Sequence, residues 1–213
     1  NNNNNNNHND NVSIEQLLTE YTTACTIYGC SSRINPGILT TLRFQLPTLR
    51  VSGNFFDADM LALSELLIKY CNTSLSYIKR LDFTIAGKEG KDKGGGSGSG
   101  KKGIRSHGAY ALSKVLCMSK YIEEVYLTGN KMIGQYGASA IFTAASQNRT
   151  LTTLLMRGCR IRERGAIMFA ETVLSSNSVS GLKEIDLSAC RIGFGGCYAI
   201  EEALKNKQNM EVC

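Results

Sequence analysis

Apolar residues fall two apart, then switch to helical spacing, and this alternation recurs along most of the chain. The clearest copies are Leu154–Arg164 (LLMRGCRIRER) and Ile185–Phe194 (IDLSACRIGF). In each, two apolar residues two apart precede a small or polar pair, then Cys, then an aliphatic residue two further on. The strand pairs are Leu49/Val51, Leu81/Phe83, Val125/Leu127, Leu154/Met156 and Ile185/Leu187. Gly108, Gly137, Gly165 and Gly196 mark the helix entries, with Met60 in the first unit. Ala111, Leu112, Val115 and Leu116 show the amphipathic spacing that follows, as do Ala140, Ile141, Ala144 and Ala145. One side of each unit is thus predicted to be a strand and the other a helix. Recurrence at about 30 residues predicts a stacked-repeat protein.

The residues before the array read differently. Positions 1–11 are nearly pure asparagine, a low-complexity tail with nothing apolar to bury. Ser13 and Gln16 fit a capping box, with Ile14, Leu17, Leu18, Tyr21, Ala24 and Tyr28 on one face behind them. Asn35-Pro36 marks a second helix start, and Pro47 stops it. Residues 12–47 are therefore expected to be a helical cap over the first unit of an array spanning 48–213.

Five residues after the first strand anchor stand Asn54, Ala86, Asn130, Cys159 and Cys190. A backbone leaving a strand loses its ladder partners, and an inward Asn or, more weakly, Cys can bond the neighbouring turns. Asn54, Asn130, Cys159 and Cys190 are expected to form this ladder, with Ala86 as the departure. The L-x-L-x-x-N/C pattern resembles the leucine-rich repeat, and the long helical half resembles its ribonuclease-inhibitor-like subclass. The resemblance covers Leu49 to the end. It implies an α/β solenoid, with a curved parallel sheet on the concave side, α-helices on the convex side and the helical cap at the N-terminus. It also implies non-catalytic protein binding, as scaffold or adaptor.

Two irregularities stand out. Leu81 to Gly108 spans 27 positions where the other units span 11 or 12, and the excess is 87–103 (GKEGKDKGGGSGSGKKG), expected to be a flexible loop. Met210–Cys213 falls where a sixth strand would begin, so the native protein is expected to continue further.

Composition narrows the setting. Hydrophobic content of 42% with 20% charge fits a folded chain, and no apolar run approaches a membrane span. Eight cysteines are scattered with no CxxC pair beside only two histidines, which favours reduced thiols and a cytoplasmic protein. The net charge of +6 permits acidic partners.

Candidate chemistry is sparse. Gly95–Lys102 nearly spells a phosphate-binding loop, but Lys102 takes the hydroxyl position and the strand lies too far upstream. Asp82 and Asp186 would be about 15 Å apart at sheet spacing, too far for a carboxylate pair. His107 occupies a position held by Tyr136 and Arg164 in sibling units, a surface position rather than a catalytic one. No enzyme activity, metal or cofactor is expected. The partner surface is placed on the concave face, at Tyr126, Leu155 and Arg157 with Glu124 and Asp186, since Tyr and Arg are enriched at binding hot spots. A second surface is the basic strand-to-helix edge, where Arg160, Arg162 and Arg164 stand with Lys131, Arg191 and the lysines of the insertion. The partner is expected to be another protein, with an acidic surface and a place in a larger assembly both open to it. Without interleaved aromatics, nucleic acid or another polyanion is the weaker alternative. Regulation of a small GTPase, implied for some proteins resembling the subclass, is the other.

Overall fold

The computed structural model describes residues 12–85, 103–175, 178–205 and 211–212. The asparagine tail, Ala86, the insertion up to Lys102, Met210 and Cys213 lie outside them.

Two helices come first, α1 (Ile14–Ile27) and α2 (Pro36–Phe44). Ser13 Oγ accepts from Gln16 N at 3.2 Å, but the Gln16 amide bonds Glu20 instead of closing the expected box. Asn35 caps α2 through Gly37 N (3.0 Å). Its side chain also spans to Ser52, donating to the carbonyl at 2.9 Å and accepting from the amide at 3.2 Å. One buried asparagine thereby fixes α2 to the first turn of the array.

Beyond the cap, strand and helix alternate: β1 (Thr48–Arg50), α3 (Asp57–Tyr70), β2 (Arg80–Asp82), α4 (Ser106–Met118), β3 (Glu124–Tyr126), α5 (Gly134–Gln147). Then follow β4 (Thr153–Leu155), α6 (Arg162–Thr172), β5 (Glu184–Asp186), α7 (Gly193–Leu204) and β6 (Glu211–Val212). Among the described residues the sheet has six strands, all parallel and in sequence order. The register aligns Leu49, Leu81, Val125, Leu154 and Ile185 in one row, and all five are fully buried. Each helix from α4 onward packs on the one before it, and α1 packs on α3 and α2. The core is a continuous apolar strip between sheet and helices, which no single unit could bury alone.

Asn130, Cys159 and Cys190 each reach back one unit. Asn130 Nδ2 donates to Phe83 O (2.9 Å), Cys159 Sγ to Leu127 O (3.2 Å) and Cys190 Sγ to Met156 O (3.0 Å). These acceptors are the second strand anchors of the preceding units. Burial raises both thiols above their ordinary range, so each remains a protonated donor.

Asn54 does not join them. It is exposed, and Phe55 takes the interior place, its ring stacked on Phe83 at 5.4 Å. With an aromatic pair available, the larger apolar side chain enters the core and the asparagine turns to water.

The helix-entry glycines are close-approach positions. A Cβ on Gly137 would lie 2.9 Å from Ala109 Cβ and 3.0 Å from Ser106 Cα of α4. One on Gly196 would lie 2.8 Å from Ala166 Cβ of α6.

Candidate functional site

The concave face divides into two halves. Across β1–β3 its charges cancel in register. Arg50 Nε meets Asp82 at 3.2 Å, and Arg80 grips Glu124 with Nε at 2.6 Å and Nη2 at 2.9 Å. Tyr126 donates its hydroxyl to Glu124 at 2.6 Å, and the Arg80 guanidinium lies 5.2 Å from the Tyr126 ring centroid. Tyr126, expected as an exposed contact, is therefore half-buried and tied into its own sheet.

The hydrogen bonds from Arg80 hold the Glu124 carboxyl below its ordinary value. The bond to Glu124 raises the Tyr126 hydroxyl and the Arg80 guanidinium. A carboxyl depressed in the folded state stabilises fully above its unfolded value, about 4.3, and that stability is lost as pH falls through the folded value. Glu124→Gln removes the dependence. Between about pH 5 and about pH 3 the parent should lose more stability than this variant in urea titrations, and parallel curves would refute the assignment.

From β3 to β5 the pairing thins. Leu155 is the register partner of Tyr126 and is half-buried. Arg157 is exposed, and its side chain makes no hydrogen bond or ion pair among the described residues. Asp186 accepts from Ser188 N at 2.8 Å, and Thr153 reaches Glu184 at 3.5 Å. Tyr126 and Leu155 are thus side by side in register with Arg157 two residues further on, and Tyr126 and Leu155 are more covered than expected.

The second surface is the strand-to-helix edge, where Arg160, Arg162, Arg164, Lys131, Arg105 and Arg191 are all exposed. Among the described residues, two of its acidic side chains are engaged by backbone. Asp57 accepts from Arg105 N at 2.7 Å, and Asp59 is buried and accepts from Phe56 N at 2.8 Å. Two aromatics stand on this edge, Tyr136 at 72% exposure and Phe194 at 87%. The sequence placed Tyr136 at a surface position but did not connect it to the arginines. The usable signal was its place one residue before a helix-entry glycine.

Among the described residues no cluster of His, Cys, Asp or Glu could hold a metal, and no helix is long and apolar enough to cross a membrane. His107 is exposed at the start of α4.

Residues 147–170, which run from the end of α5 through β4 into α6, match the family model described as Leucine Rich repeat. A search of curated proteins gives no match. Together with the registered parallel strands and the stacked outer helices, the family match makes this fold a leucine-rich repeat solenoid with an N-terminal helical cap.

Proposed function

We propose that the protein is a non-catalytic scaffold or adaptor that binds another protein through its concave face, with the basic edge as a second contact surface. Leucine-rich repeats generally mediate protein–protein interaction, and one local observation supports the concave face as the contact surface. The charges of β1–β3 are neutralised within the sheet, whereas Arg157, two residues past Leu155, is exposed and in no ion pair among the described residues, and Leu155 is the register partner of Tyr126. A cation next to half-exposed apolar surface on a rigid strand costs little ordering on binding. The reading extends to the ribonuclease-inhibitor-like subclass, supported by the length of the outer helices, 11 to 14 residues from α3 to α7. A cytoplasmic setting is supported by the buried free thiols Cys25, Cys30, Cys71, Cys159 and Cys190. Regulation of a small GTPase rests on the resemblance alone.

Affinity capture with the parent and with Tyr126→Ala/Arg157→Glu tests the proposal. Partners held by the concave patch should fall by about tenfold or more in the variant, since hot-spot losses reach 2 kcal/mol or above. An unchanged set of partners, with the variant shown to be folded, would refute the concave assignment.

A further inference from the structure

Three helices of the array begin at the same kind of place. Gly134, Arg162 and Gly193 are the first residues of α5, α6 and α7, and each has a left-handed backbone, with φ of 61°, 62° and 68°. The conformation has a structural cause. Gly134 N donates to Cys159 O at 3.1 Å and Arg162 N to Cys190 O at 3.0 Å, so each entry loop is stitched to the next. Glycine is the residue that meets this demand without strain, and two of the three units use it. The third carries arginine. Arg160 and Arg191, the residues just after the ladder cysteines, are also left-handed, at φ 53° and 60°. Among the described residues, three of the five non-glycine residues with positive φ are therefore arginines of this one edge. Strain held at a surface, with nothing packed over the side chains that carry it, points to a use for those side chains.

What surrounds them is a cleft of about 210 Å³ lined by Lys131, Met132, Gly134, Gln135, Tyr136, Arg160 and Arg162. A parallel bridge between Arg105 and Met132 ties its floor to the preceding loop. None of Lys131, Arg160, Arg162 or Arg191 is in an ion pair among the described residues. The acidic residue nearest in sequence, Glu163, is turned towards the next entry loop. A Cβ added to Gly193 would lie 2.6 Å from Glu163 Oε2, and one on Gly195 would lie 2.8 Å from its Oε1. The cleft therefore keeps its positive charge, with the exposed rings of Tyr136 at its rim and Phe194 two helices along the same edge.

We propose that this edge docks an extended acidic segment of a partner protein, carboxylates on Arg160, Arg162 and Lys131 and apolar side chains against Tyr136 and Phe194. Planar guanidinium groups match carboxylates in paired hydrogen bonds, and aromatic rings supply apolar contact at low entropic cost. An extended peptide sends alternate side chains to opposite sides, so one face can meet the cations while other positions reach the rings. A single-stranded nucleic acid would use the same charges. It is the less favoured occupant, because stacking needs successive rings at base spacing and here α6 and its arginines separate the two aromatics.

The proposal rests on the protein-binding reading and specifies the occupant of its second surface, which lies apart from the concave face and so makes the two separable. The probe is a fluorescein-labelled acidic peptide, glutamates interspersed with leucine, titrated by anisotropy against the full chain. Saturable binding is expected. Arg160→Gly/Arg162→Gly should weaken it by about tenfold, the sum of two well-placed surface charges. The same variant relieves two left-handed arginines, so its Tm should rise by about 2–6 °C, and lost binding cannot then be lost folding. Tyr136→Ala should weaken binding by about threefold or more. Tyr126→Ala/Arg157→Glu should leave peptide binding unchanged; its failure in affinity capture would count against the concave face and not against this edge. The proposal is overturned if the peptide shows no saturable binding or if the double glycine variant binds as the parent does. It is equally overturned if Tyr136→Ala has no effect, or if an oligouridylate binds more tightly than the peptide and is lost in the same variants.

Discussion

Asn130→Ala should lower stability by about 3–5 kcal/mol, read as a fall in the urea midpoint, while Cys190→Ala should cost only about 1–2 kcal/mol. The two residues hold the same place in their units but differ in what they satisfy. Asn130 Nδ2 donates to Phe83 O at 2.9 Å and to Leu127 O at 2.8 Å, and its Oδ1 accepts from Ile104 N at 2.8 Å. All three bonds are buried, and Asn130 itself is 1% exposed. Alanine leaves Ile104 N and Phe83 O without the bonds the asparagine made in a dry interior, each worth about 1–3 kcal/mol and partly offset where the loop relaxes and water enters, while Leu127 O keeps the Asn130 backbone N and Cys159 Sγ. Cys190 satisfies one carbonyl through a weak thiol donor, and its removal mostly costs packing. The placement of Ile104 sharpens the contrast. It is the first buried side chain after the insertion, so Asn130 is also what anchors the returning chain. Equal losses for the two variants would mean that the asparagine is held by packing alone.

The repeat was legible in the sequence because each unit shows the same two periods in the same order. Leu49, Leu81, Val125, Leu154 and Ile185 align by spacing, and the register places them side by side. Spacing failed at Asn54. A count of five residues cannot tell that Phe55, one place on, has Phe83 waiting in the next unit. Which of two neighbours turns inward depends on what the adjacent unit offers, and that is tertiary information. Asn35 shows the converse. Its sequence marked it as a helix cap, but its bonds to Ser52 depend on where α2 lies against β1.

The candidate surfaces were legible as positions and not as charge states. Arg80 and Glu124 stood opposite each other in the aligned strands, as did Arg50 and Asp82, and opposite charges at one register position attract. Carrying the alignment across strands would have shown half of the concave face to be neutralised. The basic edge has the opposite outcome. Asp57 and Asp59 are spent on backbone amides at the helix starts, which leaves the arginines less compensated than a count of charges implies. Left-handed arginines leave no trace in composition, because the demand for that conformation comes from the next loop's carbonyl.

Gly137→Val is the second large loss, about 3 kcal/mol or more, against about 1 kcal/mol for Gly158→Ala. Both positions are glycine for different reasons. Gly158 has φ 74° with nothing within 4 Å of an added Cβ, so alanine there meets only the backbone preference. Gly137 has an ordinary helical backbone, but an added Cβ would meet α4 at 2.9 Å and 3.0 Å and Ile133 Cγ2 at 3.0 Å. One of those neighbours is the Ser106 Cα, which cannot rotate away as a side chain end can. Valine adds two further methyls to that contact, so α5 must lift from α4. In a stacked array each unit is stabilised mainly by its neighbours, and the damage is therefore concentrated at one interface. The units from α5 onward should then open without the cap and first two units. Hydrogen exchange would show this as lost protection from β3 to β5, with the Val51 and Arg80 amides, bonded to Asp82 O and Pro47 O within the first two units, still slow. Uniform loss along the whole chain would instead mean that the solenoid unfolds as a single unit, and that the glycine seam is no weaker than the rest of the core.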